Sequence, residues 1–118
     1  METQQIVAAL NADPMNWEAL DAGSSQAIAT GKWNAALTLT SRMVRVRPSM
    51  DLYRRLAHTV SRLSYPLSTL IYLQAALQQN DGDEKMTADT NAEWDLLTAN
   101  LLKSSTRVAR LYDAIKPS

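Results

Sequence analysis

Cysteine and phenylalanine are absent from this chain, histidine occurs once, and only three glycines and four prolines interrupt its 118 residues. Each shortage excludes something. Without cysteine there is neither a disulfide nor a thiolate metal site, so the fold rests on packing alone. The lone histidine, His58, has no cysteine with which to build a zinc centre of the usual kind. Scarce glycine and proline leave long stretches with nothing to break a helix. No apolar run approaches the roughly 20 residues of a membrane-spanning helix. The start, Met1-Glu2-Thr3-Gln4-Gln5, is not the basic opening of a secretory signal. A cytoplasmic protein with no membrane partner is expected.

The marks of catalysis are missing too. There is no Gly-rich phosphate loop, no Gly-x-Ser-x-Gly elbow and no His-Glu-x-x-His pair. Asp81 and Asp83 alternate like the opening of a calcium-binding EF-hand loop. Lys85, however, stands where the third ligand belongs, and no glycine fills the sixth position. No metal, no cofactor and no catalytic residue is expected, and the chain reads as something other than an enzyme.

What the chain does contain is 46% apolar and 20% charged residues, the balance of an ordinary globular protein, in a length suited to one domain. Abundant Ala, Leu, Thr, Ser and Gln point to helices. The net charge is zero but uneven. Residues 1–31 hold four acids and no Lys or Arg, 32–62 hold seven Lys/Arg against Asp51, and 63–100 hold six acids against Lys85. Such segments attract one another when they pack. Arg42, Arg45, Arg47, Arg54, Arg55 and Arg62 cluster in sequence, but Arg54 and Arg55 point about 100° apart on a helix. With no net basic balance, nucleic-acid binding through the 42–62 arginines is a minor alternative.

Apolar spacing places the helices. Ile6, Val7 and Leu10 predict a short opening helix over 3–11. Asp13-Pro14 reads as the start of the next, with Asp as cap and Pro at the first helical position. That helix contains Trp17, Leu20, Ala27 and Ile28, ends near Thr30 and is closed by Gly31. A third helix over 32–46 carries Trp33, Ala36, Leu37, Leu39, Met43, Val44 and Val46. Two more are predicted over 49–63, capped by Ser49, and 66–79, capped by Ser64. A solvated linker follows over 81–90. Ala92-Glu93-Trp94, Leu97 and Leu101 then open a C-terminal helix or helix pair over 91–116, whose spacing continues through Val108, Leu111, Tyr112 and Ile115. Ser104-Ser105 marks either a turn or a polar pair within one helix.

One stretch carries more than periodicity. Gly31 is followed by Trp33, Ala36, Met43 and a closing Pro48, which resembles the second half of a tetratricopeptide repeat, a unit of about 34 residues. A partial second copy sets Leu52 opposite Leu20, Tyr65 opposite Trp33, Ser68 opposite Ala36, Tyr72 opposite Thr40 and Ala75 opposite Met43. Leu63 replaces the turn glycine and Asn80 the closing proline. The resemblance implies an all-α fold, a right-handed stack of antiparallel helix pairs. Repeat one would span 15–48 and repeat two 49–80, with an N-terminal helix and a C-terminal capping helix or helix pair.

It also implies a function. Such stacks hold a protein or peptide client in the groove made by the first helix of each pair, as an adaptor or small chaperone does. Compact cytoplasmic chaperones of bacterial type III secretion that are tetratricopeptide-like are similar in size and architecture. Carried onto this chain, the family's groove positions are Glu18, Asp21, Ala22, Ser25, Ile28 and Ala29 in the first unit. In the second they are Met50, Tyr53, Arg54, Ala57, Val60 and Ser61. The alternative is a structural subunit of a homo-oligomer or larger complex, with no peptide groove in use.

Overall fold

A computed structural model of the chain describes residues 1–104 together with Arg110, Asp113 and Ala114. The described residues hold α-helices and no strand, so the chain is all-α as expected. The helices are α1 Thr3–Ala12, α2 Trp17–Ala29, α3 Trp33–Val46, α4 Met50–Arg62, α5 Pro66–Gln79 and α6 Glu84–Ser104. Each packs on the next in sequence, from α1 on α2 to α5 on α6. The outcome is elongated: it measures 55 × 27 × 20 Å with a radius of gyration of 16.4 Å, against about 13–14 Å for a compact domain of this length. Among the described residues no helix is long and apolar enough to cross a membrane.

Local chemistry explains where the helices begin. The Asn16 side chain accepts from the Ala19 N–H at 3.0 Å, the Ser49 hydroxyl from Leu52 at 3.2 Å, and the Asp83 carboxylate from Met86 at 2.7 Å. Each satisfies a donor that the first turn would leave bare. Two expectations are thereby corrected. Asp13-Pro14 does not start α2; Asp13 ends α1, and its carboxylate accepts from Met15 N–H at 3.0 Å to shape the turn. The linker expected over 81–90 shrinks to 80–83, because Asp83 caps a helix that begins at once with Glu84. Asp81, the other half of the apparent calcium pattern, also serves a helix end, accepting from Met50 N–H at 2.7 Å and so fastening the α5–α6 turn to the start of α4.

The reversals between helices follow one design. At Thr30-Gly31-Lys32 the N–H groups of residues 30, 31 and 32 donate to the carbonyls of Gln26, Ile28 and Ala27, and Gly31 sits at φ 71°. At Leu63-Ser64-Tyr65 the same three bonds recur to Thr59, Ser61 and Val60, with Ser64 at φ 64°. The two turns lie 33 residues apart, as do the ends of α2 and α4 and of α3 and α5. The expected register, which set Tyr65 opposite Trp33, is therefore one residue out. Ser64 takes the place of Gly31, and Thr69, Leu73 and Ala76 take those of Ala36, Thr40 and Met43, all of them buried. The mismatch had a simple source: serine stands at a left-handed position where a glycine was sought.

The core begins with Leu20, Met43 and Leu52 from α2, α3 and α4, flanked by Leu10, Trp17, Leu39 and Val44. Gly23 matters here, because a β-carbon on it would lie 2.9 Å from Leu39 Cδ1 and 3.2 Å from Ile6 Cγ2. Its bareness lets α1 and α3 both close on α2. Helix α6 runs unbroken past Trp94, Leu97 and Leu101 to Ser104. The expected continuation through Val108, Leu111, Tyr112 and Ile115, and the choice between one helix and two beyond Ser104, lie outside the described residues.

Two stability measurements follow from these observations. A non-glycine residue held left-handed is strained, so Ser64→Gly should raise unfolding free energy and Gly31→Ala lower it, each by about 1 kcal/mol, as read from urea denaturation. Thr40 is fully buried and its hydroxyl has no partner, so Thr40→Val should be neutral or stabilising by up to about 1 kcal/mol; a clear loss in melting temperature would contradict that account.

Candidate functional site

Helix α4 lies between α2 and α6, and its adjacent arginines reach opposite ways. Arg55 Nη1 donates to Asp21 Oδ1 of α2 at 2.9 Å and to the buried Ser24 hydroxyl at 3.0 Å. Its Nη2 lies 3.5 Å from Asp51 Oδ2. Arg54 Nη2 instead pairs with Glu93 Oε1 of α6 at 2.6 Å. The near-perpendicular divergence of neighbouring helical side chains thus joins three helices that follow one another only at every second step. Partial exposure of both pairs keeps each worth little by itself, but together they link α2 to α4 and α4 to α6.

Between α4, α5 and α6 opens a cleft of about 460 Å³. Its apolar lining comes from Ala57, Leu73, Leu96 and Leu97, and its polar lining from Arg54, His58, Ser61, Thr69, Glu93 and Asn100. Leu96 is 65% exposed, an uncommon position for a leucine with no neighbour to cover it. The Arg54 Nε–H is buried and lacks an acceptor, although the same guanidinium pairs with Glu93. A cleft that mixes apolar walls with a few polar groups suits an amphipathic side chain or a stretch of backbone. It holds no group of three or more His, Asp or Glu placed for a metal; none exists among the described residues.

The predicted groove residues divide. Arg54, Ala57 and Ser61 meet in the cleft. Asp21 is engaged by Arg55, and Glu18 and Ser25 are exposed on α2, with Ile28 half-buried, none of them in the cleft. Ala22 is half-buried and Ala29 exposed, likewise outside it. Met50 and Val60 are 1% and 2% exposed, so neither can meet a partner. Tyr53 stacks on Tyr72 at 6.5 Å in a separate hollow with Ser41, Val44 and Arg45. The cause is again the 33-residue period. Counting from the Asn16 and Ser49 caps, the counterparts of Glu18, Asp21, Ser25 and Ile28 are Asp51, Arg54, His58 and Ser61. Met50, Tyr53 and Val60 are one place off and face inward.

Several residues of the cleft were not anticipated. His58 is exposed, lies edge-on to Trp33 at 5.4 Å, and borders the cleft. Arg62 stands over the same Trp33 ring at 5.4 Å, and Arg47 over Trp17 at 4.7 Å. Glu93, Leu96, Leu97 and Asn100 come from α6. The cap signals at Asn16, Ser49 and Asp83 would have set the register and, with it, the counterparts on α4. Compared with known proteins, the chain matches no family model, no curated protein and no solved structure.

Removing Arg55 leaves Ser24 and Asp21 without their donor, so Arg55→Ala should cost on the order of 1 kcal/mol. The deficit should shrink in high salt as exposed charge pairs are screened. Chemical denaturation of both proteins at low and high salt measures it.

Proposed function

We propose that the chain is a non-catalytic protein–protein interaction module, an adaptor or small chaperone of tetratricopeptide-like architecture, that holds a segment of a client protein in the cleft between α4, α5 and α6. The observation carrying this reading is the cleft itself, which sets exposed Leu96 and half-buried Leu97 beside the Arg54–Glu93 pair. The repeated hairpins support it. Packed helices joined by three residues run antiparallel, so α2 with α3 and α4 with α5 form two pairs, repeated after 33 residues, close to the period of about 34 of such repeats.

Stacking such pairs sets the first helices along one wall, and the Asp21–Arg55 and Arg54–Glu93 contacts tie those helices together. A client's apolar side chain would rest on Leu96 and Leu97, which keep exposed surface. A carbonyl or carboxylate beside it would accept from Arg54. Ser61, His58 and Asn100 at the cleft offer further polar contacts that fix the segment's direction. Exposed and mostly uncharged, the site favours a modest, reversible grip over a permanent one, which is the behaviour of a cytoplasmic adaptor or holding chaperone.

Affinity capture with the intact chain, compared with a Leu96→Asp, Ser61→Arg variant, tests the reading. Both substitutions are at exposed positions, so circular dichroism should be unchanged while captured clients fall at least tenfold. A Glu18→Arg variant, altered outside the cleft, should capture as before. If the cleft variant retrieves the same proteins in the same amounts, the cleft is not where clients sit.

A further inference from the structure

The 33-residue correspondence allows the outer faces of α3 and α5 to be compared position by position. Where α3 has Asn34, Thr38 and Arg45, α5 has Leu67, Ile71 and Gln78, and all six are exposed. Leu67 and Ile71, one turn apart, are 62% and 63% exposed. By helical geometry they lie opposite the buried Thr69, Leu73 and Ala76. No charged residue occurs between Arg62 and Asp81. The first hairpin thus gives water a polar face where the second gives it an apolar, uncharged one.

We propose that this face of α5 is a self-association surface, on which two copies of the chain pack α5 against α5 about a two-fold axis. A two-fold axis lays a face on itself, so every charge on it would meet its like. The α3 face, with Arg45, is ruled out on that ground, whereas the α5 face carries nothing to repel. Leu67 and Ile71 supply the apolar centre. Gln78 at the edge carries both an amide donor and an acceptor, so it can pair with its own copy. An anionic lipid surface would need Lys or Arg on this face, and a charged partner an opposite charge; the face offers neither. The net charge of zero leaves no long-range repulsion between whole chains.

One helix face falls short of the ~800 Å² per partner of a standard interface, so the dimer should be weak and concentration-dependent. It lies away from the cleft and is tested separately from client binding. Sedimentation equilibrium of the full chain, from low-micromolar to near-millimolar concentration, should show mass rising from 13.1 kDa toward twice that value. A Leu67→Glu, Ile71→Glu variant should stay at the monomer mass with an unchanged circular dichroism spectrum. The natural absence of cysteine provides a second measurement: Ile71→Cys should be joined into dimers by a short bismaleimide, and Thr38→Cys, its counterpart on α3, should not. A chain that remains monomeric throughout overturns the proposal. So does a dimer that survives the double glutamate variant or crosslinks equally through position 38.

Discussion

The structure depends on a three-residue reversal. A helix can fold back on its successor over so short a connection only if one residue turns left-handed and the last carbonyls find new donors. Thr30-Gly31-Lys32 and Leu63-Ser64-Tyr65 both meet this requirement with the same three hydrogen bonds. The spacing between them fixes which residues of α4 and α5 take the places of those on α2 and α3. Everything downstream, from which faces are buried to which side chains meet in the cleft, follows from that interval.

Given the interval, α4 becomes the shared wall of the molecule. It contributes Leu52 to the cluster with Leu20 and Met43, has its first turn capped from within by Ser49 and from the distant α5–α6 turn by Asp81, and extends Arg55 and Arg54 to helices on either side. Gly82 belongs to the same junction. A β-carbon there would lie 2.5 Å from Met50 Sδ, so the turn presses closely onto the start of α4. Capping, packing and charge pairing agree at this helix, and consistency of that sort is what makes a fold specific.

The two hairpins share a backbone plan but differ in chemistry. The first is polar on its outer helix face and lends its α2 carboxylate to Arg55. The second is apolar on its outer face and, together with α6, encloses the cleft. The core positions at Ala36 and Thr69 or Met43 and Ala76 exchange size while staying buried, because neighbouring volumes compensate for one another.

Helix content, the absence of strands among the described residues, and the approximate places of α2 through α5 were legible in the residues themselves, since the apolar period, Ser49, Pro48 and Gly31 are local signals that act within one or two turns. The exact register was not recovered, because Ser64 adopts a conformation its own chemistry disfavours and is held there by the packing of α4 on α5. Nor were Glu93, Leu96 and Asn100, which stand beside Arg54 only after α6 has docked; no local pattern relates residues 39 or more positions apart. Sequence decided which segments become helices and where they stop. Tertiary structure alone decided which sides of them meet, because burial is a property of the neighbours a side chain acquires and not of the side chain itself.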